Sequence, residues 1–465
     1  MKKKLLTILS CLIMFVCILT GCGNKGLQGG PVAEDTVYGN GGYVVRKGNY
    51  IYFANSYSTK TLSENDNEYG DETLAAIYRA KLNNQGIVET DEDGKLQNVE
   101  ILAKQIAGFN NSGIYIFGDY IYYATPKTLK VKSDIGTSEL LEGLVSFERI
   151  KLDGTGHKTL YSINTLGEDL KYSFNLVGNN VCLTVLNNKE LTTVLIDVNK
   201  AKKKSTKTLA ENVTSVVFPT VENITSDYSV SNFDSYVYFT QTVTIDNGGY
   251  NGTRFAKVKL DGSKSVEKIE DNTTKTLVSV KNNRLYYTED SILYSTQDFE
   301  HNTQYSANSL TEYIVNQDSN NTDMGIVALL GNSMVYYRSY GEYTVLYEAQ
   351  DGETVKLLYI EDNKIFYTIG NTLYSKEIYK STYDANERNT AGYIHSTKVN
   401  ISTNETTAFD YEQNYIFYYN TVEDSQGLYS YMHLVKHFAT NEEGETFEQC
   451  VGVIDSSDIK TSEEE

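Results

Sequence analysis

Short runs in which apolar and aromatic residues fill consecutive positions, each opened by a two-residue polar turn, recur along the whole chain. The pattern is fullest in Gly48-Asn49-Tyr50-Ile51-Tyr52-Phe53 and Gly118-Asp119-Tyr120-Ile121-Tyr122-Tyr123. Related forms are Asp234-Ser235-Tyr236-Val237-Tyr238-Phe239, Asn283-Arg284-Leu285-Tyr286-Tyr287, Asn332-Ser333-Met334-Val335-Tyr336-Tyr337, Asn363-Lys364-Ile365-Phe366-Tyr367 and Asn414-Tyr415-Ile416-Phe417-Tyr418. A degraded copy, Gly178-Asn179-Asn180-Val181-Cys182-Leu183, fills the gap after the second. Self-similarity at a period of roughly 40–50 residues marks a repeat architecture, in which each unit buries its apolar faces only against its neighbours.

The surroundings of each copy name the unit. Around the second, Ile114 to Phe117 forms a strand, Gly118-Asp119 turns it, and Tyr120 to Ala124 returns. Phe147 to Leu152 then runs into Asp153-Gly154, a strong hairpin signal, and His157 to Ile163 makes a fourth strand. The copy at Tyr236 repeats this with Phe255 to Leu260, Asp261-Gly262 and Val266 to Ile269. Even Leu74 to Lys81, the stretch most inviting to a helix, matches a third strand over Ile77 to Leu82. Four short antiparallel strands per repeat predict a blade, and the chain an all-β, single β-propeller.

The second strand of each unit is apolar without alternation, as a strand buried on both faces must be. Tyrosine suits that position, since its ring fills space between blades and its hydroxyl reaches a neighbour or water. The 39 tyrosines, with 3 prolines and no tryptophan, fit a sheet-dominated chain. Eight copies predict eight blades, while the 30-residue step from Val335 to Ile365 barely holds four strands and leaves seven open. A pair of β-sandwiches or a solenoid is the alternative architecture.

Ile121-Tyr122-Tyr123 followed by Ile150-Lys151-Leu152-Asp153-Gly154 resembles the YWTD propeller repeats of lipoprotein receptors, and more closely their bacterial relatives of unknown function on Gram-positive lipoproteins. The resemblance spans most of the chain and implies the propeller fold. Tryptophan and the following Thr-Asp are missing, so receptor-type ligand recognition does not carry over.

The first residues add an address. Lys2-Lys3-Lys4, an apolar run from Leu5 to Leu19 and small residues read as an export signal over residues 1–21. The run is short for a membrane-spanning helix, which needs about 20 residues. Leu19-Thr20-Gly21-Cys22 resembles the lipobox of bacterial lipoproteins, which implies cleavage before Cys22 and acylation of that cysteine. Several acyl chains hold a protein durably on a bilayer, so the expected location is the extracytoplasmic face of the cell membrane.

Residues 22–40, rich in glycine and polar side chains, read as a flexible tether, residues 41–455 as the propeller and residues 456–465 as a disordered acidic tail. Removing the three signal lysines takes the net charge from −20 to −23, which argues against nucleic acid as a partner. Of five cysteines, only Cys182 and Cys450 remain besides Cys22 and the two in the signal. Both sit in strand-like runs and read as buried free thiols, not a disulfide framework.

In an up-and-down blade, the first-to-second and third-to-fourth turns share one face of the disc. Second-to-third connections and blade crossovers share the other. Long insertions at residues 55–73, 125–146 and 240–253 all fall in second-to-third connections, whereas Gly118-Asp119 and Asp153-Gly154 are short. Function is therefore expected on the long-loop face, because binding groups concentrate on loops held by a rigid scaffold. Tyr57, Asp66, Tyr69, Asp71 and Tyr250 pair aromatic plates with carboxylates there, as sugar or peptide recognition requires.

Other chemistry is thin. Asp91-Glu92-Asp93-Gly94 lacks the further ligands of a calcium loop. His433 and His437 fall in a strand, where four residues span about 13 Å, too far to share one zinc. Neither H-E-x-x-H, G-x-S-x-G nor G-x-x-x-x-G-K-[ST] occurs. No metal and no cofactor is expected. The leading expectation is a non-enzymatic, membrane-anchored binding or scaffold protein taking a glycan, peptide or envelope protein. The alternatives are a secreted glycan-active enzyme with paired carboxylates at the channel, and an accessory sensor subunit of the envelope.

Overall fold

A computed structural model describes most of residues 36–378 and, as backbone strands, segments between 397 and 453. Residues 1–35, 59–75, 83–97, 130–138, 225–233, 379–396, 454–465 and shorter stretches lie outside the described set. The described strands group into eight sheets whose bodies are consecutive antiparallel strands; Pro219–Thr220 adds in parallel to the fifth, Tyr57–Ser58 adds to the eighth, and no helix occurs among the described residues. In chain order, sheets 1 to 8 lie within residues 37–103, 115–164, 171–210, 213–271, 276–304, 312–348, 355–400 and 406–453.

Local chemistry explains the repetition. Gly48, Gly118, Gly178 and Gly331 open the polar turns with φ of +58°, +59°, +56° and +60°, a region costly for a residue with a Cβ. The second turn residue then accepts a hydrogen bond from the end of a later strand. Leu82 N donates to Asn49 O, Leu152 N to Asp119 O, Val198 N to Asn179 O, Leu260 N to Ser235 O and Ala349 N to Asn332 O, at 2.7–3.2 Å. One turn thus locks three strands in register.

Consecutive side chains of the second strand face opposite sheets. Tyr123 packs with Tyr52 and Ile77 of sheet 1, while its neighbour Tyr122 packs with Phe174 and Val194 of sheet 3. Val237 meets Leu191 of sheet 3 and Tyr238 meets Leu285 of sheet 5. Tyr287 faces sheet 4 and Tyr286 faces Val335 and Tyr337 of sheet 6. Met334 and Tyr336 then meet Ile365 and Tyr367 of sheet 7. Burying one such side chain contributes roughly 2–3 kcal/mol, which explains why both faces stay apolar.

The ring closes through backbone neighbours. Strand Val355–Glu361 of sheet 7 lies against Thr406–Glu412 of sheet 8, and that strand lies against Val44–Lys47 of sheet 1. Every sheet therefore touches the next and the last touches the first, which makes the chain a β-propeller.

Three details differ from the expected plan. The Asn332 to Tyr337 copy lies on the third strand of sheet 6, after Glu312–Gln317 and Asp323–Leu330, so it marks a position one strand late. Its late position accounts for the short 30-residue step to Ile365. The ordered fold also begins before residue 41, because Val37–Tyr38 pairs with Val44–Lys47, and Asn40 Oδ1 accepts a 2.6 Å bond from Ile116 N of sheet 2. The third concerns the turns: the long connections do not all share one face. Residues 82–98 separate the third and fourth strands of sheet 1, and residues 218–235 separate the first and second strands of sheet 4.

Candidate functional site

Two of the three expected long loops, residues 125–146 and 240–253, are in large part paired ribbons, and most of residues 55–73 lie outside the described set. The hairpin Tyr120–Leu129 with Glu139–Lys151 continues well beyond the four-stranded body of sheet 2. In sheet 4, Tyr236–Ile245 pairs with Tyr250–Lys259 to the last residue, and in sheet 8 Tyr415–Asp424 pairs with Gly427–Thr440. All three ribbons extend on the side of the second-to-third turns. That side, the ribbon face, is the candidate site.

Sheet 4 shows why a ribbon holds. Thr240, Thr242 and Thr244 alternate with Gln241, Val243 and Ile245, a β-branched series suited to a two-stranded pairing. Gly252, opposite Val243, leaves room for the Ile245 side chain and for Asn272 Oδ1, both of which a Cβ would overlap. At the base, Arg254 Nε donates to Asp271 Oδ1 at 2.6 Å and Lys268 Nζ donates to Asp271 Oδ2 at 3.0 Å. Hydrogen bonds from Arg254, then Lys268, hold the Asp271 carboxyl below its ordinary range. Lys275 bridges Glu270 at 2.6 Å and Glu289 at 3.4 Å, tying sheet 4 to sheet 5. These charges satisfy one another, so they brace the ribbon and leave its uncharged flank, with Thr242, Thr244 and Asn251 exposed, as the contact surface.

Tyr57 and Tyr250 both lie on this face but on different ribbons. Tyr57–Ser58 forms a two-residue strand that pairs with Ser430 and Tyr429 of sheet 8, stitching the insertion of sheet 1 to its neighbour. Tyr250 opens the returning strand of sheet 4, opposite Ile245. The ring order places sheets 2 and 3 between sheet 1 and sheet 4, so the two residues are not brought together. Asp66, Tyr69, Asp71 and Cys22 lie outside the described residues, as does the Asp91 to Gly94 turn. His433 and His437 lie in one strand, Gly427–Thr440, as expected.

Among the described residues no cluster of three or more metal-ligating side chains occurs. Cys182 is a buried free thiol, and burial pushes its pKa up to about 12.

Two groups stand out that local motifs did not reveal. The first is Glu148, a buried carboxylate between sheets 1 and 2. It pairs with His157 Nε2 and accepts a 3.2 Å bond from Thr159 Oγ1. Its cross-strand partner Tyr123 donates to Gln105 Oε1 at 2.5 Å. Burial and the adjacent Glu148 charge raise the Tyr123 phenol far above its usual range. Glu148 shares a strand side with Ile150, which packs against sheet 1, so it faces an inter-sheet seam.

The second is a strap in the first-to-second connection of sheet 4, whose described residues pair with sheet 5 and sheet 1 on the short-turn face. Pro219–Thr220 leaves sheet 4 and pairs in parallel with Val280 and Lys281, inside the first strand of sheet 5. Ile224 then exchanges two 2.8 Å backbone hydrogen bonds with Val37, inside the first strand of sheet 1. The sequence signal was the long interval between Val217 and Tyr236, where other copies have two polar residues.

No protein-family profile matches the sequence, and no curated protein matches it significantly. Among solved structures the chain is similar to the β-propeller domain of the trilobed protease from Pyrococcus furiosus, at 10% identity and a TM-score of 0.38, over 87% of this chain and 95% of that one. It is similar to Hsv2 of Kluyveromyces lactis, at 11% identity and a TM-score of 0.40, over 71% of this chain and 94% of that one. It is also similar to the acylaminoacyl peptidase of Pyrococcus horikoshii, at 10% identity and a TM-score of 0.38, over 72% of this chain and 51% of that one, so it spans about half of that peptidase.

Proposed function

We propose that the chain is a lipid-anchored envelope protein whose propeller binds a glycan, peptide or protein on its ribbon face without turning it over. The observation that carries this reading is the one-sided projection of the ribbons from sheets 2, 4 and 8. A rigid ring with paired extensions on one face presents a large contact surface with little ordering cost on binding. The export signal and Leu19-Thr20-Gly21-Cys22 supply the anchor, with acylation at Cys22. Tyr57, Tyr250, Asp66, Tyr69 and Asp71 are the proposed contact residues of this face.

A glycan-active enzyme of the usual two-carboxylate kind places its acids roughly 5–10 Å apart around the scissile bond. Among the described residues the buried carboxylate is that of Glu148, and its partners are Thr159 and His157 in the same sheet. Such an arrangement supports a structural role.

The test is a binding screen of the exported protein against peptidoglycan fragments, glycans and peptides, with turnover followed in parallel. Binding without product, lost on charge insertion at Thr242 and Thr244, is the expected result. Product formation would replace the binding reading with the enzymatic one.

A further inference from the structure

Polarity of the disc follows from one short pairing. Strand Val44–Lys47 runs toward the Gly48-Asn49 turn, which belongs to the short-turn face. Val37–Tyr38 lies antiparallel to it, with Val37 opposite Lys47 and Tyr38 opposite Arg46. The chain therefore enters at the short-turn end, beside the turn, and runs inward. Lys47 Nζ donates to Gly118 O of the next short turn, which fixes that end of the strand to sheet 2. Ile224 pairs with Val37 at the same level, so the strap and the entering chain meet at the short-turn end.

We propose that the short-turn face is the side turned to the membrane and that the ribbon face is presented away from it. The inference rests on acylation at Cys22. From Cys22 to Thr36 there are 14 peptide steps, which reach at most about 50 Å when fully extended. Bringing the ribbon face to the bilayer would require the tether to pass outward over the four strand spacings from Val37–Tyr38 to Val99–Ala103, about 19 Å, and then along the disc's side, about 26 Å for an eight-residue strand. That path uses nearly the whole contour. The opposite orientation costs the tether nothing.

Sheet 3 and sheet 4 offer exposed reporters on the two faces. Lys200 lies in a turn of the short-turn face, and Thr244 lies near the tip of the sheet 4 ribbon. The full chain, exported with its own signal and reconstituted in vesicles carrying a headgroup dye, would be labelled at Lys200→Cys or at Thr244→Cys, with the labelled site confirmed by peptide mass. Energy transfer at least twofold stronger from position 200 is expected. Equal or reversed transfer would overturn the orientation. Flotation and the mass of the N-terminal peptide decide acylation separately. If Cys22 carries no lipid, the lipoprotein reading fails by itself. Orientation is then decided on nickel-chelating vesicles, by a polyhistidine tag replacing residues 1–21, with the same two labels and the same criteria.

Discussion

Arg79 Nη1 donates a 2.8 Å hydrogen bond to Leu152 O, across the seam between sheets 1 and 2. The same guanidinium lies 5.1 Å over the Tyr50 ring and pairs with Glu100. Sheet 2 repeats the device one step on, where Arg149 stacks 4.8 Å over Tyr120 and its Nε donates to Ala201 O of sheet 3 at 3.2 Å. In each case a cation from a third strand covers the first tyrosine of its own second strand and latches onto the next sheet.

Arg79→Met keeps the stem and removes the charged donor, leaving Leu152 O unpaired in a buried seam. A loss of about 2–3 kcal/mol is expected, read as a lower urea midpoint, because charged hydrogen bonds are worth more than neutral ones. Arg79→Lys should fall between the two, since an ammonium lacks the planar fork.

Asn40→Ala should cost about 1–3 kcal/mol, because it strips the acceptor from the buried Ile116 N–H. Thermal unfolding of truncations gives a second reading. Removal of residues 22–34 should leave the midpoint unchanged, while removal of residues 22–40 should lower it. An unchanged midpoint for the longer deletion would mean that Val37 to Asn40 contribute nothing to the ring.

Acid sensitivity should arise at the third-to-fourth turns. Burial opposes ionisation of Asp153 and Asp261, yet bonds from Thr155 and Ser263 hold both carboxyls below their usual range. Backbone bonding from Lys200 lowers Asp197, and His301 holds Asp298 at about 2. A depressed folded pKa stabilises above the unfolded value, near 3.9, and that contribution disappears as pH falls through the folded value. Stability should therefore drop between about pH 4 and pH 2. His301 has the opposite sign. Its pKa is raised by Asp298, so its contribution is full below 6.5 and is lost as pH rises through the folded value. Carboxyl titration by NMR, beside unfolding curves at each pH, checks both directions.

Cys182 should resist alkylation at pH 8 in the folded protein and react fully in denaturant, because its buried thiol stays protonated. Peptide-level mass measurement distinguishes it from Cys450.

Gly252→Leu should disturb the sheet 4 ribbon, since the new side chain meets Ile245 and Asn272 Oδ1. Overpacking of this kind costs about 1–3 kcal/mol. Ligand binding should fall more than global stability does if the ribbon forms the contact surface.

Strand positions and the double-sided burial were legible in the chain, because turn chemistry and unbroken apolar runs are local properties. Gly118 opens its turn at positive φ, and Tyr122 and Tyr123 pack on opposite sheets, as the unalternating run required. Cys182 likewise proved buried and unpaired. The local signal misled at Asn332 to Tyr337, where the motif kept its turn bond to Ala349 but took the third place in its sheet. A motif specifies a hairpin, and the number of strands before it is set by what the preceding chain pairs with.

What only the tertiary structure decided was which distant groups meet. The bond from Arg79 to Leu152 and the pairing of Ile224 with Val37 join residues 73 and 187 positions apart. Ring closure sets those encounters, and no periodicity in the chain encodes them. The period determined the sheets and their two buried faces; the closure of the ring determined the strap, the seams and the side on which the chain enters.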